Sequence, residues 1–290
     1  MSIATLIPLV LKASIFLAVF ALGLNATLND ALYLLRRPGH LIRALVAMNV
    51  IMPIVAMALS MAYNFTPAVQ ISLVALALSP VPPIFPNKGF KAGGRSSYTI
   101  GLLVAIGLLS IVVVPVAAEI VRTAFGKPTY LSPSLVAKVV FMSVLLPLSA
   151  GIAVRHFAPQ IAERFAKPLN TIAMIILILG ILPILFTAWP AITSLVGNGT
   201  ILAFVIFVII ALATGHLLGG PDPDDRTVLA LSTAARHPAI AMALAHAYAP
   251  DNKLVLAAVL LYLLVNTIVS IPYMNWRKRQ HAGLAGMARA

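Results

Sequence analysis

The chain alternates long apolar runs with short polar segments. Runs of about 20 apolar residues are long enough to cross a hydrocarbon layer of about 30 Å as helices. The pattern predicts nine membrane-spanning helices, over residues 5–28, 41–63, 67–93, 96–122, 133–157, 167–190, 199–219, 226–249 and 253–275. Gly- and Pro-containing turns separate several of them. The predicted fold is therefore an all-α integral membrane protein.

Two of the predicted spans contain sequence that breaks a helix. The third contains "LSPVPPIFPNKG", and the eighth contains "LSTAARHPAIA". Proline removes a backbone donor and clashes with the preceding turn, so neither span is expected to be a continuous helix. Irregular backbone at membrane depth is tolerated only where it is buried in protein or lines a wet cavity. The breaks therefore predict a site, and the prolines expected to shape it are Pro82, Pro83, Pro86 and Pro238.

The two broken spans run in opposite directions across the membrane. This arrangement is the one expected of an inverted repeat, with a binding site at the two breaks. Spans 1–4, residues 5–122, form the first repeat and correspond to spans 6–9; spans 5–9, residues 133–275, form the second half. Residues 1–280 are expected to be one membrane domain, with 281–290 as a cytoplasmic tail.

Basic residues alternate between the two sides of the predicted bundle. One set of connections carries most of them, and the other carries Arg122, Lys127 and Lys253. By the positive-inside rule, the C-terminus is cytoplasmic and the N-terminus is outside. The first apolar run lacks a basic segment before it and a small-residue cleavage site, so we expect it to be a retained span. The expected location is the plasma (inner) membrane of a bacterium.

Composition excludes several other classes of protein. The chain is 61% hydrophobic and 9% charged, and it contains no cysteine. Its net charge of +13 comes from short basic groups between spans, so nucleic-acid binding is not expected. We find no phosphate-binding loop, zinc-protease motif or nucleophile elbow, and therefore expect neither an enzyme nor a resident cofactor. The expected partners are a small solute and the lipid bilayer, and the sequence does not indicate an oligomeric state.

Four segments resemble the bile acid/sodium symporter family, in order and spacing over nearly the whole chain. They are "FALGLNATLNDALYLLRRPGHLIRALVAMNVIMPIVAMAL", the crossover pair "LALSPVPPIFPNKGFKAGG" and "STAARHPAIAMALA", and the junction "SVLLPLSAGIAVRHFAPQIAERFAKPLNTIA". The resemblance implies a core domain and a panel domain, two crossing broken helices, and alternating access for an organic anion. It also implies coupling to sodium.

The sequence departs from that family where its sodium ligands lie. The family's Glu and Gln of the second crossover correspond to Ser232 and Arg236, and a Gln of the second span corresponds to about Met48, beside Asn49. Residues 83–86 replace the polar stretch of the first crossover. All seven acidic residues lie in predicted loops or at span ends, so no carboxylate is predicted inside the membrane. Serine, threonine and asparagine oxygens, near Ser232 and Thr233, remain as ligands for a sodium site.

Arg236 is a charge at the predicted centre of the bilayer and needs a partner there. One interpretation is that its guanidinium binds an anionic substrate through paired hydrogen bonds. The other is that it binds carbonyl groups freed by the break, in the position that sodium occupies in relatives. His237 similarly has two interpretations, as a proton-coupling group or as a neutral, hydrogen-bonded ring.

The remaining candidates are polar groups near the two breaks. Ser232 and Thr233 precede the second break, and their hydroxyls suit a substrate or freed backbone. Asn87 and Lys88 follow the first, although Lys88 also suits a simple anchor at the helix end. Asn25 and Asn49 are further candidates to line the site.

We therefore expect a secondary transporter for a small organic anion, coupled to Na⁺, to H⁺ or to neither ion. The alternatives are a gated anion channel and a membrane sensor or assembly subunit.

Overall fold

A computed structural model describes residues 3–63, 65–125, 132–197, 199–249, 252 and 254–287. These residues form helices joined by short loops, and no strand occurs among them. We number the helices α1 (Ile3–Leu24), α2 (Pro38–Ala62), α3 (Pro67–Leu78), α4 (Phe85–Lys91), α5 (Ser96–Phe125), α6 (Pro133–Phe157), α7 (Pro159–Ser194), α8 (Thr200–Leu218), α9 (Pro223–Ala234), α10 (Pro238–Tyr248) and α11 (Leu254–Met287). A single helical turn, Leu28–Ala31, lies between α1 and α2. Lys127 and Lys253 lie outside the described residues, as does the end of the predicted tail; α11 extends into that tail.

Eight segments of the described chain are long and apolar enough to cross a membrane. They confirm the prediction of an all-α integral membrane protein. The difference from the nine predicted spans lies in the third, because 67–93 contains two short helices, α3 and α4, instead of one long helix. The eighth predicted span is divided into α9 and α10, which together cover Pro223–Tyr248. Prolines account for both divisions, as the pattern predicted.

Two of the long helices contain a wide, π-helical turn. In α2 this turn is Val46–Ile51, followed by Pro53, and in α6 it is Phe141–Leu145, followed by Pro147. A proline inside a helix clashes with the carbonyl four residues earlier, and a wide turn accommodates that carbonyl by changing the hydrogen-bond spacing. The turn in α2 is relevant to the site because it contains Met48 and Asn49.

The helices pack as two bundles. The smaller bundle consists of α1, α6 and α7, which pack closely against one another, and the larger contains α2–α5 and α8–α11. In the smaller bundle, Gly23 of α1 faces Gly151 of α6 so closely that a Cβ on Gly151 would lie 2.7 Å from the Cα of Gly23. The bundles meet where α6 packs on α5 and where α7 packs on α11. This division matches the core and panel domains that the family resemblance implies.

The broken helices cross inside the larger bundle. Helix α3 packs against α10, and α4 packs against α9, so the first half of each broken helix lies beside the second half of the other. Their neighbours repeat the arrangement, because α2 packs on α3 as α8 packs on α9, and α4 packs on α5 as α10 packs on α11. These contacts are those expected of an inverted repeat.

The start of α9 is held by a network of charged side chains. Arg95 binds the carboxylates of Asp222 and Asp225, with 2.6 Å from its Nε to Asp225. His40 of α2 lies 3.3 Å from Asp225, which is buried. Arg277 of α11 donates to the Pro223 carbonyl at 2.7 Å. We call this side of the molecule the Arg-rich end, and its contacts tie four segments of the larger bundle together.

Candidate functional site at the crossing helices

At each break, one helix ends and the next starts within a few residues, with a proline in the first turn of the second helix. Helix α3 ends at Leu78, and α4 starts again with Pro86 in its first turn. Helix α9 ends at Ala234, extended backbone follows at Ala235 and His237, and Pro238 opens α10. Proline is favoured in a first helical turn because the N–H that it lacks has no helical partner there. The sequence therefore stops and restarts each helix within a few residues.

Hydrogen bonds join the two breaks directly. The His237 N–H donates to the carbonyl of Pro80 at 2.8 Å, so the extended segment of one broken helix pairs with the turn of the other. Tyr262 of α11 donates its hydroxyl to the Ala234 carbonyl at 2.6 Å. These two bonds supply partners for a donor and an acceptor that a continuous helix would have satisfied itself.

Arg236 lies at the centre of this crossing, with only 1% of its surface exposed. Its Nη1 donates to the carbonyls of Ala77 at 3.0 Å and Ser79 at 3.2 Å, at the C-terminal end of α3. A third carbonyl, that of Met48 in the wide turn of α2, is 3.5 Å away. The C-terminal end of a helix carries partial negative charge, so these carbonyls stabilise a cation. The guanidinium therefore joins α2, the end of α3 and the second break.

The other two nitrogens of the Arg236 guanidinium do not bind these carbonyls. Buried Nε and Nη2 have no hydrogen-bond partner among the described residues. These two N–H groups form the edge of a guanidinium that binds a carboxylate or phosphate through two parallel bonds. The Phe207 ring is a further neighbour, 5.8 Å from the guanidinium carbon. Arg236 thus contacts backbone carbonyls through Nη1, while Nε and Nη2 have no partner among the described residues.

The His237 side chain is also buried, and neither ring nitrogen has a partner among the described residues. Asn49 is similar, because its Oδ1 is buried and unpartnered within that same part of the chain. By contrast, Ser232 and Thr233 donate their hydroxyls to the Leu229 carbonyl, at 3.0 and 2.7 Å. Among the predicted site residues that the structure describes, buried side-chain atoms without a partner therefore belong to Arg236, His237 and Asn49.

Two further candidates follow the first break, and one of them contacts the smaller bundle. Asn87, half-buried in α4, lies 3.7 Å from the sulfur of Met174 in α7. Lys88 is half-buried beside it. The structure therefore brings Asn87 to the boundary between the bundles, next to a methionine that sequence reasoning did not single out.

The remaining candidates differ in how near they lie to the crossing. Pro82, Pro83 and Pro86 are buried, and Pro238 is half-buried. Asn25 is exposed just after α1, where its Nδ2 donates to the Ala21 carbonyl at 3.4 Å, and no hydrogen bond among the described residues joins its side chain to the crossing. Sequence reasoning gave no role to Tyr262 or Phe207, because an aromatic residue in an apolar span resembles ordinary packing.

An all-helical membrane protein with two bundles, and with two broken helices crossing in one of them, has the architecture of a membrane transporter. The model of the Sodium Bile acid symporter family matches residues 13–195, and the chain belongs to this family. It is also similar to a protein of Bacillus subtilis (strain 168) named uncharacterized sodium-dependent transporter YocS. The two are 25% identical over 209 residues, which are 71% of this chain and 62% of that protein.

Proposed function

We propose that this protein is a secondary transporter that moves a small organic anion across a bacterial plasma membrane by alternating access. The observation that carries the proposal is the unpartnered Nε–Nη2 edge of Arg236, buried where the broken helices meet. A buried cation needs a compensating charge or strong dipoles, and backbone carbonyls engage only Nη1. An anionic group on the substrate would occupy the remaining edge.

The charges of the protein favour an anion over a cation as the transported solute. The described acidic residues lie in loops or near helix ends, and Asp222, Asp224 and Asp225 are gathered at the Arg-rich end. Carboxylate, sulfonate and phosphate groups all match the planar guanidinium edge. His237, the next residue along the chain, and Asn49, the residue after Met48, also have buried polar atoms without a partner among the described residues.

The two bundles supply the parts that move. In alternating access, one bundle rocks against the other and exposes a midplane site to each side in turn. Asn87 and Met174 meet at the boundary, so this contact would slip during each cycle. We further propose that the C-terminus is cytoplasmic, because most basic connections lie at the Arg-rich end.

The name of the Bacillus relative suggests sodium as a coupling ion, and His237 offers a proton-binding group instead. Uptake into proteoliposomes under separately imposed sodium and proton gradients distinguishes these two cases from uncoupled exchange. A loss of the proton response in His237→Gln, with uptake retained, would assign proton coupling to His237.

The first experiment is a thermal-shift screen of organic anions on the purified protein, followed by uptake of those that stabilise it. Binding at tenfold excess over Kd should raise the unfolding midpoint by roughly 3 °C. Preloading the vesicles with unlabelled substrate should accelerate uptake, because a carrier returns faster when loaded. Flux without this acceleration would indicate a channel, and no stabilising or transported anion would contradict the proposal.

A further inference from the structure

Three carbonyl oxygens converge on one nitrogen of Arg236, and they come from the elements that a broken-helix transporter uses to bind a cation. Unwound backbone and the C-terminal ends of half-helices coordinate coupling ions in such proteins. Here the carbonyls of Ala77 and Ser79 end the half-helix α3, and Met48 belongs to the wide turn of α2. A covalently attached cation already occupies their shared position.

We propose that the Arg236 guanidinium is a built-in substitute for a coupling cation, so that the crossing helices are held together without bound sodium. The consequence for transport rests on the proposed function, whereas the consequence for ion binding does not. Both consequences depend on Nη1 binding the three carbonyls, because this contact leaves the adjacent Nε–Nη2 edge for an anion.

Electrostatics and ligand supply oppose a sodium ion at this point. A free cation beside a buried guanidinium would meet a like charge in a medium that screens poorly. No group of three or more acidic or histidine side chains suited to a metal occurs among the described residues. The carbonyls that sodium would use are engaged by Arg236.

A tethered cation differs from a bound one in that it cannot dissociate. A sodium ion at a crossing joins the helices only when it is present, and its gradient can then drive transport. Arg236 provides the same link between α2, α3 and the second break permanently. The protein is therefore expected to keep its crossing assembled in the absence of sodium.

The wild-type protein tests the ion-binding consequence directly. Unfolding midpoints are measured in sodium, potassium and choline chloride at equal ionic strength. We expect the three midpoints to agree, because no site is available for sodium. A rise of roughly 3 °C specific to sodium, the shift expected at tenfold excess over Kd, would overturn the proposal.

Substitution of Arg236 provides the second test. Arg236→Gln releases the three carbonyls. Sodium, or a few millimolar guanidinium ion, should therefore raise the unfolding midpoint of this variant, whereas neither cation should raise that of the wild type. The matched control is Arg226→Gln, because Arg226 also donates to a backbone carbonyl, that of Gly220 at 2.6 Å, but at the Arg-rich end. A folded Arg236→Gln protein that responds to neither cation, or to the same extent as the control, would contradict the proposal.

Substrate uptake provides a third test, independent of the unfolding midpoints. Once an anion substrate is identified, wild-type uptake should be unchanged when choline replaces sodium on both sides. Uptake that is lost in choline would overturn the tethered-cation proposal and leave the anion-transporter proposal intact. If no anion is transported, the proposed function fails, while the midpoints in the three salts still decide whether Arg236 replaces sodium.

Discussion

Arg236 is held inside the bundle by backbone dipoles, and no carboxylate among the described residues pairs with it. Its partners lie far apart in sequence, since Met48, Ala77 and Ser79 precede it by more than 150 residues. Their carbonyls are available because α3 ends there and α2 has a wide turn. At this scale, the chemistry of the site depends on where helices stop as much as on which side chains they carry.

Asp30 provides a pH-dependent prediction at the scale of one residue. Partial burial alone would raise the pKa of Asp30, but hydrogen bonds from Ser97 and Thr27 outweigh burial and hold this pKa below its ordinary value of 3.8. A carboxyl whose pKa is lower when folded stabilises the fold above its unfolded pKa. That contribution is lost as the pH falls through 3.8 towards the lowered value.

The measurement is the unfolding midpoint of wild type and Asp30→Asn across this pH range. The wild type should be more stable near pH 7, and the difference should shrink as the pH falls below 3.8. Ser97→Ala removes one of the bonds and should shift the same transition towards higher pH. A difference that stays constant with pH would contradict this account of Asp30.

The identities of the site residues were predictable from the sequence only in part. A charge, a ring and a proline in an apolar span pointed to Arg236 and His237, because each is costly at membrane depth. Which guanidinium nitrogen binds carbonyls and which ones have no partner was not predictable, since this depends on carbonyls in two other helices. Asn25 shows the opposite case: an asparagine at the end of a span has no signal that separates a site residue from an exposed one.

At the scale of helices, close packing of α1 on α6 depends on two glycines. A Cβ on Gly151 would lie 2.7 Å from the Cα of Gly23, which is a backbone atom and has no side-chain torsion that could move it away. Small residues permit such approaches between membrane helices. Gly151→Ala should therefore separate the helices and lower the unfolding midpoint.

Gly107→Ala is the matched control within another membrane helix. A Cβ at Gly107 would meet only a Val140 methyl at 3.4 Å, which is ordinary contact. Alanine also favours a helix over glycine by about 1 kcal/mol, so the control should be neutral or slightly more stable. Equal midpoints for Gly151→Ala and Gly107→Ala would contradict the prediction that α1 and α6 need glycines at their contact.

The breaks in the helices were predictable because proline acts locally. Four prolines between positions 80 and 86 predicted the interruption of the third span, and Pro238 predicted that of the eighth. The wide turns of α2 and α6 were not predicted, because a single proline in an apolar span has several structural solutions. The wide turn of α2 supplies the Met48 carbonyl, so a part of the site itself was not predicted.

At the scale of the whole molecule, two bundles share a boundary on which transport would depend. Hydropathy predicted how many apolar segments to expect, but apolar helices resemble one another, so it did not show which of them pack together. The family resemblance implied the division into core and panel, and the contacts of α1 with α6 and α7 agree with it. The central claim is that these bundles move against each other around Arg236.

The chain contains no cysteine, so engineered pairs can test that movement without background. Asn87 and Met174 lie on opposite sides of the boundary, with 3.7 Å between Nδ2 and the sulfur. The most direct measurement is substrate uptake by Asn87→Cys/Met174→Cys after treatment with a short, reducible thiol cross-linker, with each single variant as control. Alternating access predicts that uptake is lost in the cross-linked double variant and restored by reduction; undiminished uptake by fully cross-linked protein would contradict it.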